Sequence, residues 1–317
     1  MRYAGLLLLM MLLAACTSAT QRTLVSQSAA AHSLSLPDQL PKALRVPLRF
    51  EKGYLFVDAS VDGQRVGAMM LDTGSTINII DKGVVHRLRL AQVGAGQTRG
   101  IAGTEAFTFH ALSSLAIGDL DLGAKRAAAL SMYKLTRGIQ MSPAGLIGSV
   151  SLLPQPFTID YTRRELVVYN RSTFVPPADA ERVKLLSYSG LPAVQATLAN
   201  GRRVLLLIDT GADNAVSLPM EMADQPGILA TGASGAGIST GVGGHIQTQS
   251  GWLSRLDVFG FTLANVPVTF EQQPISHGPG GLPVGRIGGQ LLQGFRLTFD
   301  GRYQSLWAQF SAPISDE

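Results

Sequence analysis

The sequence predicts an all-β protein of two related lobes, and three observations carry that reading. An apolar run ending abruptly in Asp-Thr-Gly occurs twice, as MMLDTGSTIN at 69–78 and LLLIDTGADN at 205–214. Later landmarks keep nearly the same offset: Asp72 to Asp209 is 137 residues, while Gly148 to Gly288 and Asp160 to Asp300 are each 140. The 35 Gly and 16 Pro punctuate many short Val, Leu and Ile runs, a pattern of strands and turns rather than of a helical bundle. With 46% hydrophobic residues in 317, each half has enough apolar side chain for a core.

Taken in order, the chain opens with one Arg, an apolar run from Leu6 to Leu13, small residues, and then Cys16, its single cysteine. That run is too short to span a membrane and reads as a secretory segment. Its end, LAAC, resembles the bacterial lipobox, so residues 1–15 are expected to be a lipoprotein signal peptide with lipid added at Cys16. Thr17 stands where that resemblance would place Asp for inner-membrane retention, which directs the expectation to the outer membrane, facing the periplasm. With no further cysteine, the mature protein forms no internal disulfide. Residues 16–44, rich in Ser, Ala, Thr and Gln, read as a flexible tether. The first lobe is expected at 45–175, a linker at 176–181 carrying the Pro pair of VPPADAE, and the second lobe at 182–317.

Within each lobe the same elements recur. YLFVDASVDGQRVGAMMLDTGS reads as strand, Asp62-Gly63 turn, strand and Asp-Thr-Gly; LPAVQATLANGRRVLLLIDTGA repeats it around Asn200-Gly201. Both dipeptides signal two-residue hairpins, whose turn positions take positive φ. A strand-turn-strand follows at 115–130 and again at 256–270, then an apolar-Gly segment and short helical turn at 144–153 and 285–294. Each half closes on a strand ending in Asp, FTID and FRLTFD.

These motifs resemble the aspartic peptidases of the pepsin and retropepsin type, over roughly residues 45 to 310. The resemblance rests on Leu71-Asp72-Thr73-Gly74-Ser75 and Ile208-Asp209-Thr210-Gly211-Ala212, with supporting segments Leu146-Ile147-Gly148 and Arg286-Ile287-Gly288. It implies two pseudo-twofold-related β-barrel lobes around a cleft, like a retropepsin dimer fused into one chain, acting as a monomer. It implies catalysis by Asp72 and Asp209, supported by Thr73, Gly74, Ser75, Thr210, Gly211 and Ala212, with the two threonines exchanging hydrogen bonds across the seam. The Gly-rich stretches at 98–107 and 235–249 stand where flaps belong, making Ile101, Ala102, Gly103, Gly241, Gly243 and Gly244 candidates for covering an extended peptide. The first stretch lacks the Tyr usual in pepsin-like flaps, and Arg286 replaces a common apolar residue.

The chemistry explains why two carboxylic acids should sit in apolar runs. Brought together, they cannot both ionise readily and share one proton. The ionised member can take a proton from water while the protonated one hydrogen-bonds the scissile carbonyl. Ser75 has no hydroxyl counterpart at Ala212, so a Ser75 hydrogen bond to Asp72 is expected to lower that carboxyl's pKa and leave an optimum less acidic than that of pepsin-like enzymes with a donor on each side.

Other readings fit less well. An isolated Asp at a strand end is usually a turn residue, and Asp160, Asp300, Asp81 and Asp213 are read so, as turn, surface or capping residues. The five His form no HxxxH or HxH spacing and have no cysteine partners, so neither metal nor cofactor is expected. The net charge of +4 is scattered without a basic block or interleaved aromatics, which excludes nucleic acid as an expected partner. No GxSxG occurs. The function expected is an aspartic endopeptidase acting on peptides or proteins of the bacterial cell envelope, attached through its lipid anchor. The competing reading is a non-catalytic peptide-binding or envelope assembly lipoprotein with a protease-like cleft.

Overall fold

Hairpin chemistry sets the first strands of each lobe in the computed structural model of the chain, which describes residues 42–311 apart from 101–102, 137–141, 231–234, 242–243 and 273–277. Strand Tyr54–Val61 pairs with Gln64–Asp72 through Asp62 and Gly63, whose φ values of 50° and 74° are those of the expected two-residue turn. The second lobe departs from the expectation. Between Leu191–Leu198 and Arg203–Ile208 only Gly201 takes positive φ. The Asn200 side chain instead accepts from the Arg202 N–H at 3.0 Å, and the Leu198 N–H reaches the Arg202 carbonyl at 2.9 Å, so the loop is longer. A side-chain amide that mimics a backbone turn has replaced the positive φ at its own position.

A parallel strand then inserts beside each Asp strand. Gly145–Gly148 lies along Gln64–Asp72 with Gly148 opposite Asp72, and Val284–Ile287 lies along Arg203–Ile208 with Ile287 opposite Ile208. Both inserts run against a further short strand, Ile79–Asp81 or Val216–Pro219. The glycines make this crossing possible. A Cβ at Gly148 would lie 2.4 Å from the Ile77 carbonyl oxygen, and one at Gly288 2.4 Å from that of Asn214.

Each lobe also carries a long hairpin at the place expected for a flap. Gln92–Gly100 pairs with Gly103–Ala111, closing at Gly100 opposite Gly103; Ala236–Gly241 pairs with Gly244–Val258, closing at Gly241 opposite Gly244. Gly103, Gly241 and Gly244 are therefore the last paired residues below each tip. Ile101, Ala102 and Gly243, like Cys16, lie outside the described residues.

The closing strands do not stay within their own halves. They form a six-stranded sheet in the order Ala43–Pro47, Glu165–Tyr169, Phe157–Asp160, Phe295–Asp300, Ser305–Phe310, Glu181–Lys184. At its centre the two Asp-ended strands meet antiparallel, with Phe157 and Phe299 stacked at 4.6 Å and the Thr158 and Thr298 hydroxyls 2.7 Å apart. The buried carboxylates at their ends are compensated: Asp160 by Arg296 at 3.2 Å and Asp300 by Arg171 at 3.0 Å. Each also accepts a backbone N–H of its own turn, from Arg163 and Tyr303. The lobes thus share a platform that holds the two Asp loops in a fixed relation. No helix among the described residues is long and apolar enough to cross a membrane.

Candidate active site

Strand alternation puts both motif carboxyls on one kind of face. In Gln64–Asp72, Met69 and Leu71 enter the main core, which leaves Met70 and Asp72 on the other side. In Arg203–Ile208, Val204, Leu206 and Ile208 enter the core, and Asp209 follows Leu205 and Leu207 onto the opposite face. The Asp209 N–H continues the ladder to the Ile287 carbonyl at 2.9 Å. Each chain then turns sharply through Thr-Gly at the lobe junction.

The two turns lock through their threonines. The Thr73 hydroxyl donates to the Ile208 carbonyl at 2.6 Å and the Thr210 hydroxyl to the Leu71 carbonyl at 2.7 Å. Each hydroxyl oxygen also accepts the other threonine's backbone N–H, at 3.0 and 3.1 Å. All four bonds are buried and cross between lobes, so each loop's position is specified by the other.

This lock brings Asp72 and Asp209 into side-chain hydrogen-bonding contact. Each carboxyl lies over the glycine of the opposite loop: a Cβ at Gly74 would sit 2.3 Å from Asp209 Cγ, and one at Gly211 2.4 Å from Asp72 Cγ. Each also accepts the N–H two residues on in its own loop, from Gly74 at 2.8 Å and Gly211 at 3.0 Å. The arrangement has near-twofold symmetry. Burial, then the negative charge and hydrogen bond of Asp209, hold the Asp72 carboxyl well above the usual carboxylate range; the Gly74 N–H and the Arg286 guanidinium pull the other way. Both aspartates keep a partly exposed surface, so water can reach this deeply seated pair.

The supporting residues divide unequally. Thr73, Thr210, Gly74 and Gly211 act as described, whereas Ala212 contributes backbone, its carbonyl accepting the Gly289 N–H at 2.7 Å. Ser75 corrects the expectation made for it. Its hydroxyl donates to the Ile77 carbonyl at 2.9 Å and accepts the Ile77 N–H at 3.3 Å, so it closes its own turn rather than reaching the Asp72 carboxyl. Next to Asp72, a backbone N–H already occupies the donor position.

Several residues near the pair carried no motif. Asn78 in the first lobe accepts the Gly148 N–H at 3.0 Å and donates to the Ser151 hydroxyl at 2.7 Å, tying the Asp loop to the inserted strand. In the second lobe Asn214 donates to the Ser217 hydroxyl, which bonds the buried Glu271 carboxylate at 3.3 Å, and Arg286 forms an ion pair with Glu271. At the start of its strand Tyr54 is largely buried, and burial, then the charge of Asp213 and hydrogen bonding to it, with smaller effects of Asp209 and Asp72, push its phenol upward. The matching position in the second half is Leu191, so the Gly-Tyr against Gly-Leu difference in the sequence was the available signal. Asp81 caps the helix Lys82–Leu88 through the Gly83 N–H, a capping role as expected. Among the described residues no group of three or more His, Cys, Asp or Glu is placed to hold a metal ion.

Comparison with known proteins follows the same division of the chain. The sequence model of a family described as aspartyl protease matches residues 57–149 and again 194–289. The two matches together cover more than half of the chain, one in each lobe, and each contains one Asp-Thr-Gly and one inserted apolar-Gly strand. No curated protein matches the chain.

Proposed function

Because the chain belongs to the aspartyl protease family, we propose that it is an aspartic endopeptidase in which Asp72 and Asp209 are the catalytic pair. The observation that carries this reading is the contact of two carboxyls, each laid over the opposite loop's glycine at a junction that water reaches. The pair shares one proton. Its ionised member takes a proton from a water between them, the water oxygen attacks the scissile carbonyl carbon, and the protonated member donates a hydrogen bond to the developing oxyanion. The proton taken from water then passes to the departing amine. An extended peptide would lie beneath the two flap hairpins, pairing its backbone with strand edges.

The test is cleavage of a peptide library, read by mass spectrometry, with Asp72→Asn, Asp209→Asn and pepstatin as controls. Cleavage that survives both substitutions sinks the assignment. The site of action is proposed to be the bacterial cell envelope, with Cys16 lipidated and the protein held at the outer membrane, facing the periplasm. Labelled palmitate should be incorporated by the native chain and not by Cys16→Ser; equal labelling, or none in either, removes the anchor.

A further inference from the structure

The two walls beside the carboxyl pair are built at the same strand positions but from opposite chemistry. In the first lobe, Leu146 lies opposite Met70, two residues before Asp72, and shares the face that carries Asp72 because its neighbour Ile147 enters the main core. It joins a separate apolar cluster with Ile79, Leu130, Met132 and the flap residue Phe107. In the second lobe, Arg286 lies opposite Leu207, two residues before Asp209, and Ile287 enters the core. The strand registers therefore make Arg286 the counterpart of Leu146. They also make Ser217 and Glu271 the counterparts of Ile79 and Leu130, since a Cβ at Gly145 would meet the Ile79 carbonyl and one at Gly285 that of Ser217, each at 2.2 Å.

We propose that Arg286, held by Glu271, Ser217 and Asn214, is a specificity-determining residue that selects a neutral hydrogen-bonding side chain, Asn or Gln, on the second-lobe side of the scissile bond, while the first-lobe wall takes a large apolar one. This rests on the protease reading of the same cleft. An ion pair in a wall that its twin builds from leucine gives up the hydration of both ions, a cost that apolar replacements avoid. Its presence is not needed to hold the fold, because the first lobe packs the same backbone with Leu130 and Leu146. The Arg286 side chain is 16% exposed, and its Nε–H is buried with no partner among the described residues. An aliphatic substrate side chain would cover the exposed part of this charged group without pairing it; a carboxamide oxygen would accept a hydrogen bond from it. A carboxylate suits the site less. Glu271 already neutralises Arg286, and a further negative charge would lie near a carboxyl pair that itself carries one.

The experiment is a peptide array probed with the Asp72→Asn protein, which reads binding without turnover, beside the same protein carrying Arg286→Leu and Glu271→Leu together. The Asp72→Asn protein is expected to retain peptides with a large apolar residue on one side and Asn or Gln on the other at least tenfold better than peptides apolar on both. The triple variant should lose that preference and favour apolar residues on both sides. If it fails to fold, the profile of the Asp72→Asn protein alone decides. An apolar preference on both sides, a preference for Asp or Glu over Asn and Gln, an unchanged profile in the triple variant, or no selective binding overturns the proposal. Selective binding without any cleavage by the native chain sinks the protease reading and keeps this one; cleavage between two apolar residues does the reverse.

Discussion

The Asp loop at 72–78 and the Asp loop at 209–215 share a backbone and differ in how it is braced. In both, a glycine accommodates the opposite carboxyl and a threonine bonds across the seam. Behind them the first loop is braced by one side chain, Asn78, which fills the space between the Gly148 N–H and Ser151. The second uses main chain for the same purpose, the Gly288 N–H going to the Ala215 carbonyl at 3.0 Å, and frees Asn214 for the polar network around Arg286. Symmetry is thus kept where the two loops bring their carboxyls together, and abandoned one residue layer behind. The lesson is that the pair tolerates different supports so long as both carboxyls are delivered to the same place.

The largest effect should come from breaking the symmetric layer. Gly74→Ala and Gly211→Ala each drive a methyl to within 2.4 Å of a carboxyl carbon of the other lobe, and either should abolish peptide cleavage by separating the pair. If one of them retained full activity, the carboxyls would not be packed as described. Asp72→Asn should also reduce cleavage by at least ~100-fold, the low end of what a positioned acid or base contributes. Its effect on stability has the opposite sign. With its folded-state pKa raised, Asp72 favours the fold below the ordinary carboxylate pKa, and that contribution is lost as pH rises through the raised value. The Asn variant should therefore melt higher than the native chain at neutral pH and lose this advantage in acid, which thermal scans at several pH values can check.

Next in size is the threonine lock. Thr73→Val and Thr210→Val each remove two cross-lobe hydrogen bonds and leave a buried N–H and a carbonyl unpaired, each orphan costing about 1–3 kcal/mol. Denaturant melts should show similar losses for the two. A pair differing several-fold would mean that one lobe carries the junction. Asn78→Ala and Asn214→Ala sharpen the comparison behind it: the first strands the Gly148 N–H inside the protein and should cost ~1–3 kcal/mol, while the second leaves the Gly288 N–H bonded and should cost less.

What could be read from the sequence follows the same line between backbone and side chain. The repeat offset, the hairpin dipeptides and the two apolar-Gly segments are demands of backbone geometry, and Gly148 and Gly288 are needed because carbonyls pass within 2.4 Å of where a Cβ would stand. Pairs made by side chains 15 to 140 residues apart left no such mark. Glu271 is an ordinary strand residue until the Val216–Pro219 and Phe261–Glu271 strands place it beside Arg286. The six-stranded platform was equally hidden, because FTID and FRLTFD each read as the end of its own half; only the matching Phe157 and Phe299, and Thr158 and Thr298, reveal that they face each other. Asn200-Gly201 misled for a local reason, since the Asn amide could satisfy the turn without positive φ.

The smallest effect is expected at Ser75, where the two loops differ most plainly in sequence. A hydroxyl beside one carboxyl and a methyl beside the other suggests unequal pKa values, yet the Ser75 hydroxyl is spent on both backbone groups of Ile77. Ser75→Ala should therefore weaken a local turn by about 0.5–1.5 kcal/mol, the usual net worth of one hydrogen bond. The pH dependence of kcat should stay where it is, because the donor nearest Asp72 is the Gly74 N–H at 2.8 Å, which the substitution leaves in place. A shift of the acidic limb toward higher pH in Ser75→Ala would show instead that the hydroxyl turns to the carboxylate once substrate is bound, and the asymmetry of the two loops would then extend to the proton they share.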